Sequence, residues 1–247
     1  MQKKYFLLLI PFLLLFACST AEWTIKSASS GKIAIDKSTD SIADSSYIVY
    51  LKPLKQIVDE KMNIVIGYAP ETMRGHAPES LLSNFSADVY RKAASDYYKQ
   101  PVDISIVNLG GLRTTIPAGN VTVRKVFELM PFENELVILW LKGDKLNDLC
   151  QYFAGMGGEG VSGLRFTISN GKAVDITIGG QAIDLQKTYT IATNDYLAGG
   201  NDKMVQLANN EKRVNTGIKV RDMLMEYIKN ETANGRNIES RLDGRIK

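Results

Sequence analysis

The sequence predicts an α/β domain in which a mixed sheet is layered with helices. Three observations predict it. Residues 79–98 carry Leu81, Phe85, Val89 and Ala93 at a spacing of four, with Leu82 widening the stripe. That is the period of a helix with one buried face. Residues 102–107 and 135–141 are short apolar runs, the pattern of strands covered on both faces. Helical and strand patterns then follow one another without strict alternation, so parallel and antiparallel pairs are expected in one sheet.

The elements follow in order. Residues 46–63 read as a helical lead-in with Ile48, Leu51, Leu54, Ile57, Val58 and Met62 on one side. Pro53 either kinks it or starts a second helix, because proline removes a backbone donor. Residues 65–68 suit a short strand, followed by a loop through Pro70, Gly75 and Pro78. Pro101 closes the long helix, and Thr122 is placed to cap a short one over 122–129. A helix over 143–153 comes next. Asn170-Gly171, between apolar segments 164–168 and 173–178, signals a type I′ hairpin. Residues 188–192 form another strand, and 218–229 a last helix with Val220, Leu224 and Ile228 in register. One domain over 64–247, without internal repeats, accounts for these elements.

Composition narrows the classes. The chain has 247 residues, 45% hydrophobic and 23% charged, which excludes a disordered chain, a collagen-like repeat and a polytopic membrane protein. Lys3 and Lys4 supply two of the net +3 charges. The nearly balanced remainder gives no general electrostatic case for nucleic acid. One histidine, His76, and two cysteines, Cys18 and Cys150, exclude a disulfide scaffold. They also exclude a metal site built mainly from His and Cys. Cys150, among Leu146, Leu149 and Phe153, reads as a small core residue, with a reactive thiol the minor option.

The N-terminus reads as an address. Lys3 and Lys4 precede an apolar run over 5–16, too short to span a bilayer and interrupted by Pro11. It ends in Leu15-Phe16-Ala17-Cys18, which resembles a bacterial lipobox. On that reading residues 1–17 are a signal peptide and Cys18 is lipidated. The mature chain is then anchored outside the cytoplasmic membrane, in the periplasm or at the cell surface of a bacterial envelope. Residues 18–45, rich in Ser, Thr, Lys and Asp, form a tether with a short strand suggested at 32–35. An ordinary secretory signal with a chance cysteine is the competing reading.

Three loops could carry chemistry. Asn108-Leu109-Gly110-Gly111-Leu112-Arg113 follows a buried strand. Its glycines permit a sharp turn and close approach to a ligand, Asn108 offers donor and acceptor, and Arg113 offers a fork for oxyanions. A plain turn with a solvated arginine is the bland alternative. Met130-Pro131-Phe132-Glu133-Asn134 holds a ring that is either core, the favoured reading of this stretch alone, or an exposed platform. Asn194-Asp195-Tyr196-Leu197-Ala198-Gly199-Gly200-Asn201-Asp202 offers a ring to stack and a carboxylate to accept from two hydroxyls. Its alternative is a glycine-rich turn with an Asx cap.

The order of these loops, with Glu79, Asn84 and Asp88 upstream and Ser162-Gly163-Leu164 between, resembles the C-terminal, substrate-binding domain of bacterial and animal 5′-nucleotidases over roughly 65–229. The resemblance implies that Phe132 and Tyr196 sandwich a base, Tyr196 standing for the usual Phe. It implies that Asp202 binds ribose hydroxyls, and that Asn108, Gly110, Gly111 and Arg113 line the substrate. A further family arginine is expected before the helix at 79; Arg74 lies close, although the spacing puts His76 nearer. Asn201 and Lys203 replace glycines usual around Asp202. The resemblance further implies that phosphate cleavage belongs to a separate di-metal metallophosphoesterase domain. Its Asp-x-His, Gly-Asp-x-x-Asp and Gly-Asn-His-Glu motifs do not occur in this sequence.

Two expectations follow, with no cofactor and no metal site in this chain. One is a nucleoside- or nucleotide-recognition half working with a separate metallophosphoesterase chain that holds divalent metals. The other is a non-catalytic surface lipoprotein that binds nucleosides or nucleotides. A structural lipoprotein with a decayed pocket is disfavoured by the coherent set of Phe132, Tyr196 and Asp202. Replacing the lipidated position, Cys18→Ser, is expected to move the protein from the detergent-extracted membrane fraction to a soluble or unprocessed form. Fractionation and mass spectrometry of the N-terminus check this, and unchanged membrane partition counts against the lipobox.

Overall fold

The computed structural model describes residues 23–34, 36–37 and 45–247. The expected signal peptide, Cys18 and Ile35 of the suggested strand lie outside the described residues; residues 32–34 have no regular structure. The chain divides into two units, Met1–Tyr50 and Leu51–Lys247. In the first, Trp23, Ile25 and Ile33 are exposed. Helix α1 (Ser45–Met62) continues through Pro53 as one helix and has no buried residue, so its apolar stripe is not packed. Among the described residues no helix is long and apolar enough to cross a membrane.

The second unit is built on strands β1 (Val65–Ala69), β2 (Ile104–Val107), β3 (Gly119–Thr122), β4 (Glu135–Lys142), β5 (Gly160–Ser162), β6 (Leu164–Ser169), β7 (Lys172–Ile178), β8 (Gln181–Ala182), β9 (Thr188–Asn194) and β10 (Lys212–Lys219). Helices α2 (Leu81–Tyr98), α3 (Val123–Leu129), α4 (Gly143–Met156), α5 (Asp195–Ala198), α6 (Val205–Ala208) and α7 (Val220–Ala233) complete it. The central sheet has the order β10-β4-β9-β2-β5. Only the β2–β9 pair is parallel; its other pairs are antiparallel. The predicted mixed sheet layered with helices is what the structure contains.

Strand alternation splits the core. Along β4, Leu136 and Ile138 join a cluster with Leu82, Phe85 and Val89 of α2 and Leu224 and Ile228 of α7. Val137, Leu139 and Leu141 point the other way, into a cluster with Leu146, Leu149, Cys150 and Phe153 of α4 and Phe166 and Ile176 of the small sheet β6-β7-β8. Burial pushes the Cys150 thiol up to about 12, so it is a core residue as expected. Asn170 and Gly171 both have positive φ in the predicted hairpin.

Local chemistry sets several boundaries differently from the sequence pattern. Helix α2 starts after Ser80, whose side chain forms a capping box with Ser83, and stops at left-handed Lys99, before Pro101. Thr122 accepts from Lys125 N and caps α3 as predicted. The pattern at 218–229 reads as helix throughout, but Lys212–Lys219 pairs with β4 and α7 begins only at Val220. Residues past α7 are part of the fold. Arg245 makes a bidentate pair with Asp88 at 2.8 and 2.9 Å, and Glu79 accepts from the amides of Asp243 and Gly244.

Gly143 marks the tightest join between β4 and α4. A Cβ there would stand 2.0 Å from the backbone oxygen of Asp184, which no rotamer change can relieve. Gly143→Ala is therefore expected to lower the unfolding free energy by about 1–3 kcal/mol, the range of overpacked cores. Urea unfolding reads this as a lower midpoint; an unchanged midpoint removes the close approach as a constraint.

Candidate functional site

The site follows from strand direction. β2 and β9 are parallel, with Ile104 opposite Ile191, so both carboxyl ends reach the same edge of the sheet. β4 is antiparallel to β9, with Leu136 opposite Asn194, so its amino end reaches that edge too. Asn108 follows β2, Phe132 and Asn134 precede β4, and Tyr196 and Asp202 follow β9. In open α/β sheets ligands bind outside the carboxyl ends of strands. A cleft of ≈ 410 Å³ lies here, lined by Asn108, Gly110, Gly111, Arg113, Met130, Phe132, Asn134, Asn194, Tyr196 and Asp202.

Each side chain is held by a nameable contact. Asn108 is buried, and its Nδ2 donates to Asp202 Oδ2 at 2.7 Å. The turn after it is a single 3-10 turn, Leu109–Gly111. A Cβ on Gly111 would meet Asn108 Oδ1 at 2.7 Å, so the turn lets Asn108 fold back over it only with glycine there. Arg113 is exposed, with Nη1 donating to Gly110 O at 3.1 Å. Tyr196 sits in α5, started by the Asn194 side chain accepting from Leu197 N at 2.8 Å. Its phenol donates to Asp202 Oδ1 at 2.8 Å, a bond that pushes its pKa above the usual phenol range. Tyr152 of α4 donates to Asp202 O at 2.9 Å.

Phe132 is the exposed platform, not the core residue that its own stretch favours. Phe132 is 49% exposed and Tyr196 42%, and both line the cleft. Arg221, buried at the start of α7, explains this. It ion-pairs with Glu133, donates to Pro131 O at 3.3 Å, and stacks on Phe127 at 4.1 Å. The loop is thereby pinned on both sides of Phe132, leaving the ring no way inward.

Arg74 stands apart. It is exposed and does not line the cleft. Its backbone is held by Met73, bridged to Ile116, and by Arg74 O accepting from Leu82 N. His76 is exposed as well, its Nδ1 3.2 Å from Ala77 O. Arg221 and the cleft residues Met130, Asn134 and Asn194 complete the site beyond the predicted set. Glu159 was not legible as a site residue at all: it is buried beside the cleft and accepts from Leu109 N at 2.6 Å. A charged residue among glycines at a strand entrance is its only sequence signal.

A concave, partly aromatic cleft at strand ends gives an α/β domain the form of a small-molecule recognition module. The family model for the 5′-nucleotidase C-terminal domain matches residues 65–209, and the chain belongs to this family. It is 26% identical over 192 residues to a 5′-nucleotidase of Vibrio vulnificus, covering 75% of this chain and 34% of that protein. It is 30% identical over 131 residues to protein UshA of Escherichia coli, covering 51% and 24%. Its fold matches the crystal structure of a 5′-nucleotidase precursor from Thermus thermophilus with TM-score 0.69 and 28% identity, covering 84% and 43%. The chain spans about a third of the length of the Vibrio 5′-nucleotidases it matches.

The donor set does not fit a metal centre. His76 is the only histidine, and among the described residues no three His, Cys, Asp or Glu side chains converge. This domain alone is not the metal-binding catalytic domain of the family.

Asp202 and Lys203 take left-handed backbone conformations, φ +51° and +59°. Each non-glycine residue there costs roughly 1–2 kcal/mol, against about 0.5–1 kcal/mol of chain entropy for glycine. Lys203→Gly is thus expected to raise the unfolding free energy by about 0.5–1 kcal/mol. Calorimetry reads it as a higher Tm, and a lower Tm would show that the Lys203 side chain contributes more than its backbone costs.

Proposed function

We propose that this chain is the nucleoside- and nucleotide-recognition half of a 5′-nucleotidase, with the metal ions and the phosphoester cleavage supplied by a separate metallophosphoesterase chain. We place it, lipid-anchored through Cys18, in a bacterial cell envelope outside the cytoplasmic membrane. The observation that carries the reading is one cleft holding two exposed rings, Phe132 and Tyr196, with Asp202 between donors from Asn108 and Tyr196, in a chain with a single histidine.

The chemistry supports the division. Two rings at one cleft suit the faces of a purine or pyrimidine. An ionised carboxylate has about four acceptor positions, so Asp202 keeps capacity for a pair of ribose hydroxyls beside its internal bonds. Arg113, exposed at the rim, suits a phosphate. None of these groups is arranged to supply a metal-activated water for attack on the phosphate. Binding alone, equal in ground and transition states, does not raise the chemical rate.

The test has two arms. Calorimetry with adenosine and a dideoxy analogue measures recognition. Phe132→Ala should weaken both by roughly tenfold or more, whereas Asp202→Ala should weaken adenosine alone. Phosphate release from AMP with manganese, zinc or magnesium measures catalysis. The purified chain should release none, and turnover should appear when an exported metallophosphoesterase is added and fall with Arg113→Ala. Turnover by the chain alone that is lost in Arg113→Ala overturns the split reading. Binding with no activation of any such partner favours a non-catalytic binding lipoprotein.

A further inference from the structure

Glu159 is a buried carboxylate to which recognition, as proposed, gives no task. It stands immediately before β5, and the antiparallel pairing of Val107 with Gly160 carries it to the edge where Asn108 leaves β2. It is only 7% exposed. Its Oε1 accepts from Leu109 N at 2.6 Å and from Gly160 N at 3.3 Å. Leu109 opens the turn that carries Gly110 and Gly111, and Asn108, one residue earlier, grips Asp202. A continuous set of bonds therefore runs from Glu159 through the Leu109 amide to Asn108 and Asp202.

We propose that Glu159 is a positioning residue that fixes the Leu109–Gly111 turn and, through Asn108, the orientation of Asp202. It reaches no ligand itself. Its effect on ligand binding rests on the recognition reading above; its effect on the turn does not. A polar residue is needed at this depth because the Leu109 amide has this carboxylate as its partner, and a buried donor left unpaired is unfavourable.

The environment makes the role sensitive to pH. Burial pushes the Glu159 carboxyl up to about 7, the amides of Leu109 and Gly160 oppose the rise, and the negative charge of Asp202 adds to it. Asp202 faces it from the loop after α5, and the turn and the start of β5 contribute amides. Ser83 of α2 packs against Gly160 and Pro78 against Gly158, neither bringing a charge. With the folded value above the unfolded one, the carboxyl is protonated in the fold at low pH. The stability this protonation contributes is lost as pH rises through about 7. The ionised form is the stronger acceptor for Leu109 N, so the turn tightens over the same interval.

The experiment follows the Leu109 amide in the full chain by ¹⁵N NMR from about pH 5.5 to 8.5. In the wild type the Leu109 and Gly160 resonances should titrate together with a midpoint near 7. In Glu159→Gln, which keeps an acceptor without a titrating charge, they should be flat. Glu159→Leu should lower hydrogen-exchange protection of Leu109 by about tenfold or more and weaken adenosine binding, while Glu159→Gln keeps both within about twofold at pH 6. The same titration in Glu159→Gln as in wild type, or an amide that does not move with pH, overturns the proposal. If Glu159→Leu does not fold, the Gln variant alone decides it. If the wild type binds no adenosine, recognition fails while the amide titration still reports on Glu159.

Discussion

The direction of four neighbouring strands is the constraint on which the rest depends. In the run β4-β9-β2-β5, the parallel β2–β9 pair sits between two antiparallel neighbours. Two carboxyl ends and two amino ends therefore meet at one edge. The parallel pair requires a long crossover, here the segment from Asn108 to Lys187 that contains β4, α4 and the small sheet. Had β9 entered antiparallel to β2, Tyr196 and Asp202 would lie at the opposite edge from Asn108. No side-chain change could then assemble the cleft. Packing serves this arrangement: the alternation along β4 gives both sheet faces a core, one under α2 and α7, the other under α4 and β6-β7.

Within that frame the cleft is organised by bonds the protein makes to itself. Asp202 is held at both carboxylate oxygens and at its carbonyl, by Asn108, Tyr196 and Tyr152. These partners come from three separate segments, so the carboxylate's position reports the packing of β2, α4 and α5 together. Phe132 is held differently, by Arg221 bonding the backbone carbonyl of Pro131 before it and the carboxylate of Glu133 after it. One cleft residue is fixed at its side chain and the other by contacts to its two neighbours. The result is common to both: little side-chain entropy remains to be lost when a ligand arrives.

Legibility in the sequence divided along the same line. Periodicity made α2, β2, β4 and α4 readable, because burying one face or both leaves a pattern in the side chains. The hairpin at Asn170-Gly171 was readable because only certain residues accept positive φ. β3, β5 and β10 were not, since each is short or at an edge and half solvated: β10 alternates polar residues such as Arg213, Asn215 and Lys219 that carry no apolar signal. Asn108, Gly110, Gly111, Arg113, Phe132, Tyr196 and Asp202, which line one cleft, could be singled out because they are distinctive residue types gathered in loops at strand ends. Arg221 and Glu159 could not. Each acts on a segment 88 and 50 residues away in sequence, through contacts that exist only once the sheet is assembled. Arg74 is not among the residues that line the cleft, and nearness in sequence to α2 says nothing of which way its side chain leaves the loop.

If, as proposed, recognition is separated from the chemistry, it must still influence the rate. Contacts to base and ribose lie away from the bond that breaks. Their free energy raises the rate only if it holds the phosphate in register with the metal centre, because proximity and orientation can supply about 7–11 kcal/mol of a barrier. On that proposal, looseness between the two rings and the rest of the cleft would forfeit that contribution even if affinity were unchanged. The structure meets the requirement on its own side. Phe132, Tyr196, Asn108 and Asp202 lie on loops and a short helix joined to adjacent strands of one sheet, and the residues that hold those loops, Arg221 and Glu159, are both buried. On the reading proposed here, rigidity of this edge is what the recognition half contributes to catalysis, and affinity is only its visible consequence.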